Sequence, residues 1–145
     1  MRAIEFEVRG NPHAQKRHRH TKTGHTYDPS AEAKKELLMQ VQRHAPLTPI
    51  NTPVALDCIF YFPPPKSTPK YKIENIRDGL VPYAKKRGDI DNLAKFVLDA
   101  LNGVYWTDDA IVYSLSARKY YSIIPRTEIK VYYDFKNGNE NDSGS

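Results

Sequence analysis

Residues 85–112 read KKRGDIDNLAKFVLDALNGVYWTDDAIV, and the rest of the chain is read outward from them. Ile90, Leu93, Ala94, Val97, Leu98 and Leu101 recur at steps of three and four, which predicts an amphipathic helix stopped by Asn102-Gly103. Beside that apolar arc, Asp91, Lys95 and Asp99 form a polar stripe. Phe96 falls outside the arc, beside Ala100, and is either a contact with a second copy or a peripheral core residue. Asp89 and Asp91 cannot share a face inside a helix, because two residues turn the direction by roughly 200°. They converge if Asp89 is extended or caps the helix while Asp91 lies in its first turn. The chain then passes Trp106 to a second acidic pair, Asp108-Asp109.

Two readings compete for these carboxylates. Aspartate is a common N-cap and favours the positive end of a helix, and Asp-Asp after Trp-Thr suits a solvated turn. A cluster of hard oxygen donors, with Lys95 one turn from Asp91, suits Mg²⁺ or Mn²⁺ rather than zinc. The third carboxylate reaches the first two only if the loop folds across a sheet or the helix itself.

The segments Asp89-Ile90-Asp91-Asn92-Leu93-Ala94-Lys95, Leu98-Asp99-Ala100-Leu101-Asn102-Gly103 and Trp106-Thr107-Asp108-Asp109 resemble the signature of the RusA family of Holliday junction resolvases. The similarity runs upstream through Pro65-Lys66-Ser67 and downstream through Lys119-Tyr120, covering about residues 60–122 with specific motifs. It implies three metal-binding aspartates and a lysine as the catalytic set: Asp89, Asp91, Asp109 and Lys95. It also implies a homodimer, since resolving a junction takes two nicks related by symmetry. Gly88 departs from the pattern, because relatives often carry proline there; the expectation is a looser loop with the ligand set intact.

The chain has 145 residues, enough for one domain with a real core over residues 1–135, followed by a disordered tail from 136 to 145. No apolar run spans a bilayer, and Arg2, Glu5, Glu7 and Arg9 break up any signal peptide. The lone Cys58, in an apolar strand pattern, reads as a buried core thiol and makes a cytoplasmic setting the expectation. A net charge of +5 makes a polyanion a plausible partner. Its distribution says more: cations crowd Lys16, Arg17, Arg19 and Lys22, then Lys66, Lys70, Lys72, Arg77, Lys85, Lys86 and Arg87. The carboxylates gather between Asp89 and Asp109. Cations that attract a phosphate backbone around an acidic pocket suit a metal-dependent nuclease.

In order, Ala3–Val8 alternates as a half-buried strand. His13 to Tyr27 reads as a mobile DNA-contact loop; His13, His18, His20 and His25 lack the spacing or cysteine partners of a zinc site. A helix is predicted over Ala31–His44, with Ala33, Leu37, Leu38 and Val41 as its stripe. Val54–Phe62 is apolar on nearly both faces, a central strand. Residues 66–88 form a long basic segment with Tyr71 and Tyr83 interspersed. Residues 111–122 and 127–135 are expected to pair as a hairpin around Ile124-Pro125-Arg126. The fold class is therefore α+β, a small mixed sheet with two main helices.

The expected function is Mg²⁺-dependent cleavage of four-way DNA junctions, with one or two ions per site. A lysine beside metal-binding carboxylates keeps its charge, which favours an electrostatic role for Lys95 over that of a base. Two rivals stand: a noncatalytic DNA-binding module whose aspartates only cap and turn, and a nuclease of broader branched-DNA or RNA specificity.

Overall fold

The computed structural model describes residues 1–16, 19–20, 24, 26–85 and 88–134, with Arg19 and His20 as backbone only. Its elements are β1 (Arg2–Arg9), β2 (Arg19–His20), β3 (Thr26–Tyr27), α1 (Ala31–Val41), β4 (Val54–Phe62), α2 (Lys70–Asp78), α3 (Ile90–Leu101), β5 (Val112–Tyr121) and β6 (Arg126–Tyr133). Short 3-10 turns follow α1 at Gln42–His44 and precede β5 at Asp109–Ile111. The fold is α+β, as expected.

The main sheet has the order β1-β6-β4-β5, while β2 and β3 form a separate two-stranded ribbon. β4 runs antiparallel to β6 and parallel to β5. Thus β5 and β6 do not form the expected hairpin, because β4 lies between them. Composition explains the difference: β4 is the most apolar strand and gains most from neighbours on both edges. Ser122 to Pro125 crosses the end of β4, where the Ser122 amide donates to the Phe62 carbonyl at 2.9 Å. A parallel pair needs a crossover connection. Residues 63–111 supply it, and α3 is its return helix.

One hydrophobic cluster joins Phe6 of β1, Leu37 and Val41 of α1, Leu56 and Phe60 of β4, Leu93, Val97 and Leu101 of α3, and Ile129 and Val131 of β6. Burying a side chain of this size stabilises the fold by about 1.5–3 kcal/mol. Tyr105 and Trp106 are fully buried behind α3, and the Tyr105 hydroxyl donates to the Val41 carbonyl at 2.6 Å. Cys58 is buried, and burial raises its thiol pKa to about 12.

α3 has the expected bounds, but its buried face is rotated. Phe96 and Ala100 are buried, whereas Ile90 at the first turn is 40% exposed. The Phe96 ring lies 4.7 Å from that of His13, so it is covered within its own chain and is not the contact with a second copy. The start of the expected mobile loop is likewise ordered. The Gln15 amide donates to the Asn92 carbonyl at 2.8 Å, and the Lys16 amide to the buried Ser30 hydroxyl at 3.1 Å. Burial lowers the His13 pKa, with the charge of Lys16 adding to the effect. His18, His25 and the tail expected over 136–145 lie outside the described residues.

Within the long basic segment, α2 is a helix that sequence reading did not locate. None of its side chains is buried. Among the described residues, no helix is long and apolar enough to cross a membrane.

Candidate functional site

Asp89 stands where the crossover leaves the C-terminal end of β4 and enters α3. The turn before it depends on Gly88, whose φ of +79° lies in the left-handed region that side chains disfavour. Nor is there room for a side chain, since a Cβ on Gly88 would meet the Phe62 ring at 2.9 Å. Phe62 is held by stacking on Tyr83 at 4.1 Å between ring centroids. From β5, the Lys119 ammonium donates to the Gly88 carbonyl at 3.0 Å. The Tyr83 amide returns a bond to the Lys119 carbonyl at 3.1 Å. Gly88 itself is thus held from two sides, by Phe62 and by Lys119.

Asp89 is extended, with φ −61° and ψ 137°, and Asp91 lies in the first turn. This is the arrangement that lets the two carboxylates converge. Asp89 occupies the N-cap position, yet its side chain makes no capping bond; only its carbonyl serves the helix, accepting from the Leu93 amide at 3.0 Å. The Asp91 carboxylate accepts from the Asn92 amide at 3.0 Å. Both are exposed, as is Lys95 one turn along. The bond from Gln15 to Asn92 sets Lys16 in the segment alongside.

Asp109 belongs to the other end. The fully buried Trp106 donates its indole N–H to the Asp109 carboxylate at 2.7 Å. Burial raises the Asp109 pKa; the Trp106 bond opposes the rise, while the charges of Asp99 and Asp108 add to it. Asp99 in turn lies 3.6 Å from the Lys34 ammonium, which also pairs with Asp28. The Lys34 bond is the main reason the Asp28 pKa falls to about 2.

Strand register fixes the distance between the two ends. Val112 sits opposite Val54, so Asp109, three residues earlier, is at the start of β4. Gly88 packs on Phe62, at its finish. The intervening α3 is about 18 Å long, from 12 residues at 1.5 Å each. One chain therefore brings Asp89, Asp91 and Lys95 together and leaves Asp109 apart, beside Asp99. Among the described residues, no three Asp, Glu, His or Cys side chains are grouped to hold a metal ion. The donor chemistry of Asp89 and Asp91 fits a hard cation, but a three-aspartate site is not complete within one chain.

Of the expected DNA-contact residues, Lys16, Lys66, Lys70, Lys72 and Lys85 are exposed. None of them is in an ion pair with Asp or Glu among the described residues. Arg19 lies in β2; Arg17, Lys22, Lys86 and Arg87 lie outside the described residues. Three contributors escaped sequence reading: Trp106 as the anchor of Asp109, Lys119 as the pin of Gly88, and Asp99 as the neighbour of Asp109. The Trp106–Asp109 spacing of three was a usable local signal. The Lys119 contact spans 31 residues and had none.

The family model described as endodeoxyribonuclease RusA matches residues 9–132 of this chain. A relative from Bacillus subtilis (strain 168), the uncharacterized protein YqaN, is 38% identical over 138 residues, covering 90% of this chain and 96% of its own length. The match takes in both ends of α3, the turn at Gly88 and the Trp106–Asp109 turn, and it places this chain in the RusA endodeoxyribonuclease family.

Proposed function

We propose that this chain is a Mg²⁺-dependent endodeoxyribonuclease that resolves four-way DNA junctions by paired symmetric nicks, acting as a twofold dimer. Membership of the RusA family supports the nuclease class. The observation that carries the reading further is that Asp89, at an N-cap position, does not cap. A carboxylate left exposed beside a second one supports a ligand role for Asp89 over a capping one.

The separation of Asp109 from that pair argues for two copies. In a twofold pair with the α3 helices antiparallel, Asp89 and Asp91 face Asp109 of the partner subunit, and each site draws on both chains. In this reading Asp89, Asp91 and that third aspartate hold the metal, with Mn²⁺ able to replace Mg²⁺. The ion supplies Lewis acidity and an activated water at the scissile phosphate. Lys95 places its charge one turn from Asp91, where it offsets negative charge developing on a phosphate oxygen. Lys16, Lys66, Lys70, Lys72 and Lys85 draw in the DNA backbone and release its counterions.

The test is cleavage of a mobile four-way junction, a fork, a duplex and an RNA of matched length. The expected result is preferential cutting of the junction in Mg²⁺, none in EDTA, and recovery in Mn²⁺. Equal cutting of all four substrates would favour the broader nuclease, and binding without cutting in either metal the noncatalytic module.

A further inference from the structure

We infer that the groove between α2 and the C-terminal ends of β4 and β5 binds an unpaired nucleotide of the DNA substrate. Its base lies on the apolar wall and its phosphate between Lys72 and Lys85. This deepens, and rests on, the DNA-directed reading above.

Among the described residues, α2 is the α-helix with no residue buried in the core. It is nine residues long and buries none of them. A helix so short is marginal without tertiary support, and its half-buried residues are Ile73 and Ile76, the latter at the groove. Between α2 and the sheet end lies a groove of about 510 Å³, within the roughly 300–1,000 Å³ usual for small-molecule sites. It is lined by Pro64, Pro65 and Tyr121, by Ile76 of α2, and by Lys72 and Lys85.

Charge identifies the occupant. Lys72 and Ile76 are four residues apart and share a helix face. The acidic residues of α2, Glu74 and Asp78, do not line the groove; Asp78 lines, together with Arg77, an adjoining hollow that shares Ile76 and Tyr121 with it. No carboxylate lines the groove, and neither lysine has an acidic partner among the described residues. A largely apolar lining that includes Tyr121, with Ser67, Thr68 and Asn75 as polar neighbours and two uncompensated cations, complements a base joined to a phosphate.

Position connects the groove to Asp89. Tyr121 meets Tyr83 edge-on at 4.9 Å, and Tyr83 stacks on Phe62 at 4.1 Å. Phe62 packs against Gly88, the residue before Asp89. A nucleotide on Tyr121 is thus linked to the acidic pair through three rings in contact. A splayed nucleotide is what a branched substrate offers and an intact duplex withholds.

Fluorescence anisotropy with a labelled oligothymidylate of about twelve nucleotides tests this, in EDTA so that nothing is cut. Ile76→Asp places a carboxylate on an exposed helix, where the fold has little to lose; circular dichroism checks that the fold is kept. It is expected to weaken oligothymidylate binding about tenfold while changing blunt-duplex binding less than about twofold. The pair Lys72→Ala and Lys85→Ala is expected to reduce the slope of log affinity against log salt by about 0.7, the value for the one phosphate that the two lysines share. Glu74→Gln, on another face of α2, leaves binding unchanged, and removing the bases from the centre of the oligonucleotide reproduces the Ile76→Asp loss. Undiminished oligothymidylate binding by Ile76→Asp, an equal loss on duplex, or equally tight binding of the abasic strand would overturn the proposal. Asp91→Asn is expected to bind the oligonucleotide normally, so failure of the groove and failure of the nuclease reading give different results.

Discussion

Asp91→Asn is expected to reduce junction cleavage in Mg²⁺ by about a thousandfold or more, equivalent to about 4 kcal/mol of lost transition-state stabilisation. The substitution removes a charge and little else. Asp91 is exposed, and the bond it accepts from the Asn92 amide can be accepted equally by an asparagine oxygen. The melting temperature should therefore stay within a few degrees of the parent. Junction affinity in EDTA should hold or rise slightly, because one negative charge near the phosphates is gone. Full turnover by a well-folded Asp91→Asn protein would remove the carboxylate from the chemistry.

Gly88→Ala is the second change expected to have a large effect, and it acts on backbone rather than charge. A residue with a Cβ at φ +79° costs about 1–2 kcal/mol in strain. Here the Cβ would also meet a ring atom of Phe62 at 2.9 Å, and Phe62 is stacked on Tyr83 and cannot swing away freely. The loop must move, and Asp89 is the next residue. Stability should fall by about 2 kcal/mol and cleavage by about tenfold or more. Proline, fixed near −65°, cannot adopt this conformation. Unchanged melting and unchanged cleavage in the alanine variant would show that the loop is not held as described.

The sequence disclosed α3 almost to the residue because its signal is local: apolar spacing, an aspartate at the cap position and Asn102-Gly103 at the stop. Its buried face was misjudged at Ile90, and of the two readings open for Phe96 the core one holds. Helical spacing gives the width of an apolar stripe, but which edge is covered depends on neighbours, here His13. β4 was legible as a central strand because both its faces are apolar, yet its neighbours were not. A short link between β5 and β6 suggests a hairpin, and only the competition for the most apolar strand places β4 between them. The candidate site followed the same division. Asp89, Asp91 and Lys95 lie within one turn and a half of helix, where spacing settles proximity. The position of Asp109 depends on the β4–β5 register and the burial of Trp106, neither of which sequence spacing reveals.

The position of Asp109 is why we propose that a complete site takes aspartates from two chains. Mixing Asp91→Asn with Asp109→Asn tests it most directly, after a brief unfolding and refolding step to exchange subunits. In a shared site, the mixed dimer carries both defects in one site and leaves the other fully wild type. Half of the dimers would then hold one good site of two, so about one quarter of the parental activity should return, as single nicks in a cruciform plasmid. If all three aspartates served a site within one chain, every site in the mixture would lack one of them, and cleavage would stay as low as in either variant alone.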